Sequence, residues 1–154
     1  LSNGGLLVTA VVNRRPDLFA AAVAEVPLVD VMHIMDTPVG SAIAAELGDP
    51  TADDETFDYM LAYSPLQNIH AHASRPHVLV VPAEYDERVA ASWSYKYVAC
   101  LQQTSKPGQI ALLRTVPDEG HVGWPWPVMR DVLSDELVFF CKTLGDAAPK
   151  GASI

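Results

Sequence analysis

The chain of 154 residues is one domain's worth of polypeptide, and at 49% hydrophobic and 19% charged it holds enough apolar side chains for a sizeable core. Ten Lys and Arg against 19 Asp and Glu leave a formal charge of −9 with no basic cluster, which counts against nucleic acid or an anionic membrane surface as the partner. The apolar stretches 6–12 and 20–29 are broken or fall short of the ~20 residues that span a bilayer.

The start, Leu1-Ser2-Asn3-Gly4-Gly5, has neither an initiator Met nor the charged opening of a signal peptide, so the chain is expected to be cut from something longer. Small apolar residues from Gly4 to Asn13 predict a helix that stops before Pro16. The Ala/Val-rich run 20–29 fits a buried strand, clearest at Val23-Ala24-Glu25-Val26. Pro38, Gly40 and Gly48-Asp49-Pro50 punctuate a loop with a short helix over 41–47. A helix is expected over 53–63, with acids in its first turn and Phe57, Met60, Leu61 and Tyr63 at helical spacing.

The β-branched run 76–82, bounded by prolines, reads as a strand buried on both faces of a parallel sheet. A helix over 90–103, a second buried strand over 110–116 and a helix over 128–144 follow, the last expected to bury Val132, Leu133, Leu137, Phe140 and Cys141 on one side. This alternation defines an α/β layer fold. Cys100 and Cys141 lack CxxC spacing and read as buried thiols. Trp93, Trp124 and Trp126 read as core or pocket-wall aromatics. His33, His70, His72 and His77 share no metal-ligand spacing, and the acids 49–58 lack the pattern of a calcium loop.

Three segments stand where an α/β sheet places its active site, past the carboxyl ends of strands. Ser2-Asn3-Gly4-Gly5 opens a helix, as a nucleophile elbow does; small residues suit the strained turn, and the helix N-terminus sets the Asn3 N–H toward a developing oxyanion. Taken alone, a serine at the head of a Gly-rich helix is more often just a cap. Glu84-Tyr85-Asp86-Glu87-Arg88-Val89 follows the strand 76–82, and its plainer reading is a solvated loop capping the next helix. Asp118-Glu119-Gly120-His121-Val122-Gly123 follows the strand 110–116, and its plainer reading is a loop histidine between glycines. Together they fall in the order Ser, Asp, His, which is that of the α/β-hydrolase triad and not of chymotrypsin or subtilisin.

Ser2-Asn3-Gly4-Gly5-Leu6-Leu7-Val8, Asn13-Arg14-Arg15-Pro16-Asp17-Leu18-Phe19, Tyr63-Ser64-Pro65-Leu66-Gln67-Asn68, Asp86-Glu87-Arg88-Val89 and Gly120-His121 occur in sequence. Over roughly 1–144 they resemble the catalytic domain of the prolyl oligopeptidase family of serine peptidases. The resemblance implies the C-terminal half of an α/β-hydrolase fold, a mostly parallel sheet with flanking helices, over residues 1–146; the sequence after the last helix, 147–154, reads as a flexible tail. It implies Ser2 as nucleophile, Asp86 as orienting carboxylate and His121 as general base. It further implies Asn3 at the oxyanion hole, Arg88 on a substrate backbone carbonyl, and Tyr59, Tyr63 and Val89 lining the S1 pocket. Tyr59 stands where proline-specific members carry tryptophan, while Val26-Pro27-Leu28-Val29-Asp30-Val31-Met32 and Gly48-Asp49-Pro50 look more like oligopeptidase B, which cleaves after Lys and Arg; only Glu46 is present for the acidic pair such a pocket needs, so the choice stays open.

The expected activity is hydrolysis of peptide bonds in oligopeptides through an acyl-enzyme, without cofactor or metal, in the cytoplasm. The alternative is a non-catalytic fragment or interaction module of the same fold. The resemblance also implies that earlier strands, the first glycine of Gly-x-Ser-x-Gly, a second oxyanion donor and a β-propeller precede Leu1. Residues 1–154 alone are therefore expected to be nearly inactive and to associate through the open sheet edge.

Overall fold

A computed structural model describes residues 1–70 and 74–145. Three strands, β1 (Ala21–Glu25), β2 (His77–Val81) and β3 (Ala111–Leu113), form a parallel sheet in the order β1-β2-β3. Ala21 pairs with His77 and Glu25 with Val81, while Val78 pairs with Ala111 and Val80 with Leu113. Helix α1 (Asn3–Arg14) precedes the sheet, α2 (Gly40–Leu47) and α3 (Asp54–Leu61) lie between β1 and β2, α4 (Ala91–Thr104) crosses from β2 to β3, and α5 (Trp126–Leu144) closes the series.

The alternation of side chains along each strand divides the core in two. Ala22, Val78 and Val80 face α1 and α4, packing with Leu6, Val12, Trp93, Tyr97, Val98 and Leu101. Ala21, Val23, Leu79 and Val81 face α5 and pack with Val132 and Phe139. The central strand β2 is thus covered on both faces, which its unbroken apolar run requires. Tyr97 is fully buried, its hydroxyl donates to Asn13 Oδ1 at 3.3 Å, and burial pushes its phenol up from the ordinary value. Asp53 caps α3 by accepting the Thr56 N–H at 2.7 Å, as its position before two further acids suggests.

Several expectations require correction. Strand β3 spans three residues and not 110–116; it lies at the sheet edge, with Leu112 and Leu113 exposed, and the ladder resumes only at the Ala83–Val116 bridge. Helix α5 begins at Trp126 and buries Val132 and Phe139, seven residues or two turns apart, with Val128 packed beside them. Leu133 and Leu137 sit roughly 110° and 150° around the helix from that seam and are exposed, as is Cys141. Cys100 is half-buried, so neither thiol is a core residue. Trp93 is buried and Trp124 packs on the α5 side of the sheet, but Trp126 is exposed. Short 3-10 turns at Pro16–Leu18 and Val31–Asp36 fill segments read as irregular. His72 and the tail 147–154 lie outside the described residues.

Candidate active site

The site is built at the carboxyl ends of the strands, beginning with the turn at Ser2. Its φ of 54° and ψ of −122° put a non-glycine residue in a sparsely populated region, worth about 1–3 kcal/mol of strain. The surroundings impose it: the Ser2 N–H donates to the Glu25 carbonyl at 3.0 Å, and the Ser2 carbonyl accepts from the Gly5 and Leu6 N–H groups at 2.8 and 3.1 Å. A Cβ on Gly5 would lie 2.6 Å from Pro27 Cβ and 2.7 Å from its Cα, so only glycine lets α1 approach the loop after β1. Gly4 faces open space, and its small size is not required sterically.

Ser2 makes no side-chain cap to α1. Its Oγ lies 2.8 Å from His121 Nε2, and His121 Nδ1 lies 2.8 Å from Asp86 Oδ2. The side chains of His121 and Asp86 are 3% and 1% exposed. The second Asp86 oxygen, Oδ1, accepts the main-chain N–H groups of Arg88 at 2.9 Å and Val89 at 2.8 Å. With both carboxylate oxygens engaged as acceptors, Nδ1–H donates to Asp86 and Nε2 is left to accept from the Ser2 hydroxyl. Asp86 is therefore no solvated cap, although Glu84, Tyr85, Glu87 and Arg88 around it are exposed, and helix α4, which begins after Ala90, has no side-chain cap of its own.

A cavity of about 410 Å³ opens beside Ser2 and His121. Asn3, Arg88 and Val89 line it from the loops, Leu28 from the segment after β1, and Ile43, Glu46 and Leu47 from α2. Tyr59 and Tyr63, expected in the S1 wall, are not among its lining residues. They stack edge-on with ring centroids 5.3 Å apart, and Tyr59 is exposed because α3 turns only its neighbour Met60 inward. Partial burial, with a smaller contribution from Tyr59, pushes the Tyr63 phenol up.

The segment 63–68 has a different task. The Asn13 amide donates to the Pro65 carbonyl at 2.8 Å, the Leu66 N–H to the Val29 carbonyl at 2.8 Å, and the Gln67 amide to Asp30 Oδ1 at 2.9 Å. Ser64 Oγ meets Gln67 Oε1 and accepts the Val31 N–H at 3.3 Å. Buried Asp30 also takes His33 Nδ1 at 2.8 Å. This network ties α1, the segment carrying Leu28 and the end of α3 into one wall. Asp30 had only its place in an apolar run, VPLVDVM, to mark it as a buried acid in need of partners. His77 is structural too, its Nδ1 accepting the Ile110 N–H at 3.2 Å. Among the described residues no group of three His, Cys, Asp or Glu is disposed to hold a metal ion.

A parallel sheet flanked by helices, with a strained serine at the head of a helix and a histidine spanning that serine and a buried aspartate, defines the carboxyl-terminal part of an α/β-hydrolase. The family model of the prolyl oligopeptidase family matches residues 1–147, and the chain belongs to that family. It is 41% identical over 124 residues to prolyl oligopeptidase A of Amanita bisporigera, covering 79% of this chain and 16% of that protein. Oligopeptidase B from Trypanosoma brucei with covalently bound antipain superposes with a TM-score of 0.84 at 35% identity, over 93% of this chain and 20% of that one. Prolyl oligopeptidase B from Galerina marginata, solved with peptide substrates as serine, aspartate and histidine to alanine mutants, gives TM-scores of 0.80 to 0.81 at 30 to 31% identity over 94% of this chain and 20 to 21% of that one. The chain thus spans about a fifth of the length of these relatives.

Proposed function

We propose that this chain carries the catalytic triad of a serine peptidase that hydrolyses peptide bonds in oligopeptides through an acyl-enzyme. The observation that carries the reading is His121 held between Ser2 Oγ and Asp86 Oδ2 at 2.8 Å on each side. In this reading Ser2 Oγ attacks the scissile carbonyl carbon while its proton passes to His121 Nε2. Asp86 stabilises the resulting imidazolium through Nδ1–H and, fixed by two main-chain N–H groups, keeps the ring from turning. The Asn3 N–H faces the oxyanion, aided by the positive end of α1. His121 then returns the proton to the leaving amine, and a water, deprotonated by the same ring, hydrolyses the Ser2 ester.

Arg88 in the cavity wall supplies an N–H fork for a substrate carbonyl, and Val89, Leu28 and Ile43 supply apolar surface for the residue whose bond is cut. Two facts about relatives support the reading. Antipain is covalently bound in the T. brucei oligopeptidase B structure. In the G. marginata peptidase the substituted serine and aspartate stand as far apart in sequence as Ser2 and Asp86.

The experiment is hydrolysis of short peptide amides by the full-length protein, followed from the first turnover. The expected result is acyl-enzyme accumulation that Ser2→Ala removes together with all but a residue of turnover. Turnover that survives Ser2→Ala would overturn the reading.

A further inference from the structure

Past the strand ends, the loops 84–89 and 117–121 continue the β2–β3 pairing by other means. The sheet pairs Val78, Leu79 and Val80 of β2 with residues 33 positions later, as Val78 with Ala111, and the Ala83–Val116 bridge keeps that offset. Beyond it three contacts follow at an offset of 34. Asp118 N–H donates to Glu84 Oε2 at 3.1 Å, Tyr85 N–H donates to the Glu119 carbonyl at 2.9 Å, and His121 N–H donates to Glu87 Oε2 at 3.1 Å. Two of the three acceptors are side-chain carboxylates where a strand would have used its own carbonyls.

The Glu87 contact bears on the site because its donor is the main chain of His121. Glu87 Oε1 also lies 3.3 Å from Arg88 Nε, so one carboxylate touches the residue proposed as general base and the residue proposed to hold substrate. Gly120 leaves room for it: a Cβ there would sit 2.9 Å from Glu87 Oε2. On the other side Trp124 Nε1 donates to the Gly120 carbonyl at 2.8 Å, so the peptide leading into His121 is held from two directions. Its own main-chain N–H and that of His121 keep the Glu87 carboxyl below the ordinary range, as charge-assisted contacts do.

We propose that Glu87 is a positioning residue for the proposed triad: its carboxylate fixes the His121 main chain, and so the height of the imidazole between Ser2 and Asp86. The side chain is 57% exposed, so the contact adds little to global stability, and its effect falls on geometry. A displacement of about 1 Å in a catalytic group is enough to cost up to 10²-fold in rate. Asp86 orients the ring and Glu87 sets the backbone from which the ring hangs; the two adjacent acids divide the work.

The inference rests on the serine peptidase reading, and the test separates the two. In the full-length protein, Glu87→Ala is expected to slow fluorophosphonate labelling of Ser2 and to lower kcat by about tenfold or more with a smaller change in KM. Glu87→Gln keeps an acceptor oxygen and is expected to recover most of the labelling rate. Gly120→Ala, which pushes the carboxylate away from the opposite loop, is expected to behave like Glu87→Ala. Hydrogen exchange at the His121 amide is expected to quicken in Glu87→Ala and not in Glu87→Gln, whether or not Ser2 reacts. Labelling and exchange unchanged in Glu87→Ala would overturn the inference, as would Glu87→Gln failing to recover either. Loss of wild-type labelling with the exchange pattern intact would sink the peptidase reading and leave the contact standing.

Discussion

The carboxyl end of the sheet and the outer face of α5 invert each other's chemistry. At the first, Asp30, Asp86 and His121 are buried, and every one has a named partner 2.8 to 2.9 Å away. At the second, Leu133, Leu137 and Val138 stand in the open, as do Leu112 and Leu113 of β3. A small sheet buries polar groups at considerable expense and leaves apolar ones uncovered only where cover is not supplied by these residues. The first region holds the proposed site and the second is exposed apolar surface, and the two should answer mutation in opposite ways.

The largest effects are expected at the proposed triad. His121→Ala and Ser2→Ala are each expected to remove nearly all turnover on peptide amides, and the double mutant to be little worse, because such residues act as a unit. Asp86→Asn is expected to lose several orders of magnitude in kcat with the fold retained, since it mis-sets the imidazole tautomer. Additive losses in the double mutant would separate the serine from the histidine and break the account of this region.

Next comes the elbow. Gly5→Ala forces a Cβ against the main chain at Pro27, and overpacking of this kind costs about 1–3 kcal/mol, with Ser2 displaced as well. Gly4→Ala meets nothing and is expected to be neutral or slightly stabilising through helix propensity. Thermal melts and Ser2 labelling of the pair check this contrast, which fails if the two variants behave alike.

On the α5 side, Phe139→Ala is expected to cost about 3–5 kcal/mol in denaturant unfolding, as for other buried aromatics. Leu137→Ala, 65% exposed, should stay within about 0.5 kcal/mol. A large cost at Leu137 would show that its face is covered in solution and would sharpen the comparison into a search for the cover.

The smallest effect is a pH slope. Burial, and then the neighbouring Glu25, push the Glu136 carboxyl up to about 7 from an ordinary 4.5, and its Oε1 is buried without a hydrogen-bond partner among the described residues. Between those values the folded chain holds more protons than the unfolded one, so stability falls as pH rises through the window. Glu136→Gln is expected to flatten the denaturant midpoint between pH 5 and pH 7.5, where the wild type declines; an unchanged slope would place the titration elsewhere.

Strands, helices and the three loop segments were legible because they depend on local pattern: the β-branched run 76–82 has one reading in a parallel sheet, and Ser, Asp and His fell after successive elements in one chain order. What was not legible depends on rotation and reach. Leu133 and Leu137 share the apolar character of Val132 and Phe139, and only the helix phase fixed by packing against β1 and β2 decides which pair is buried. Tyr59 is exposed for the same reason, one residue from the buried Met60. The contacts of Glu84 and Glu87 were not legible because their partners are main-chain N–H groups of a segment 34 positions away, which no side-chain pattern records.

The most direct test of the assembled triad is fluorophosphonate labelling of the full-length protein with the modified residue mapped by mass spectrometry. The account expects a single adduct on Ser2, lost in His121→Ala while the fold is retained. An adduct on another serine, or labelling of Ser2 that is indifferent to His121, would contradict it.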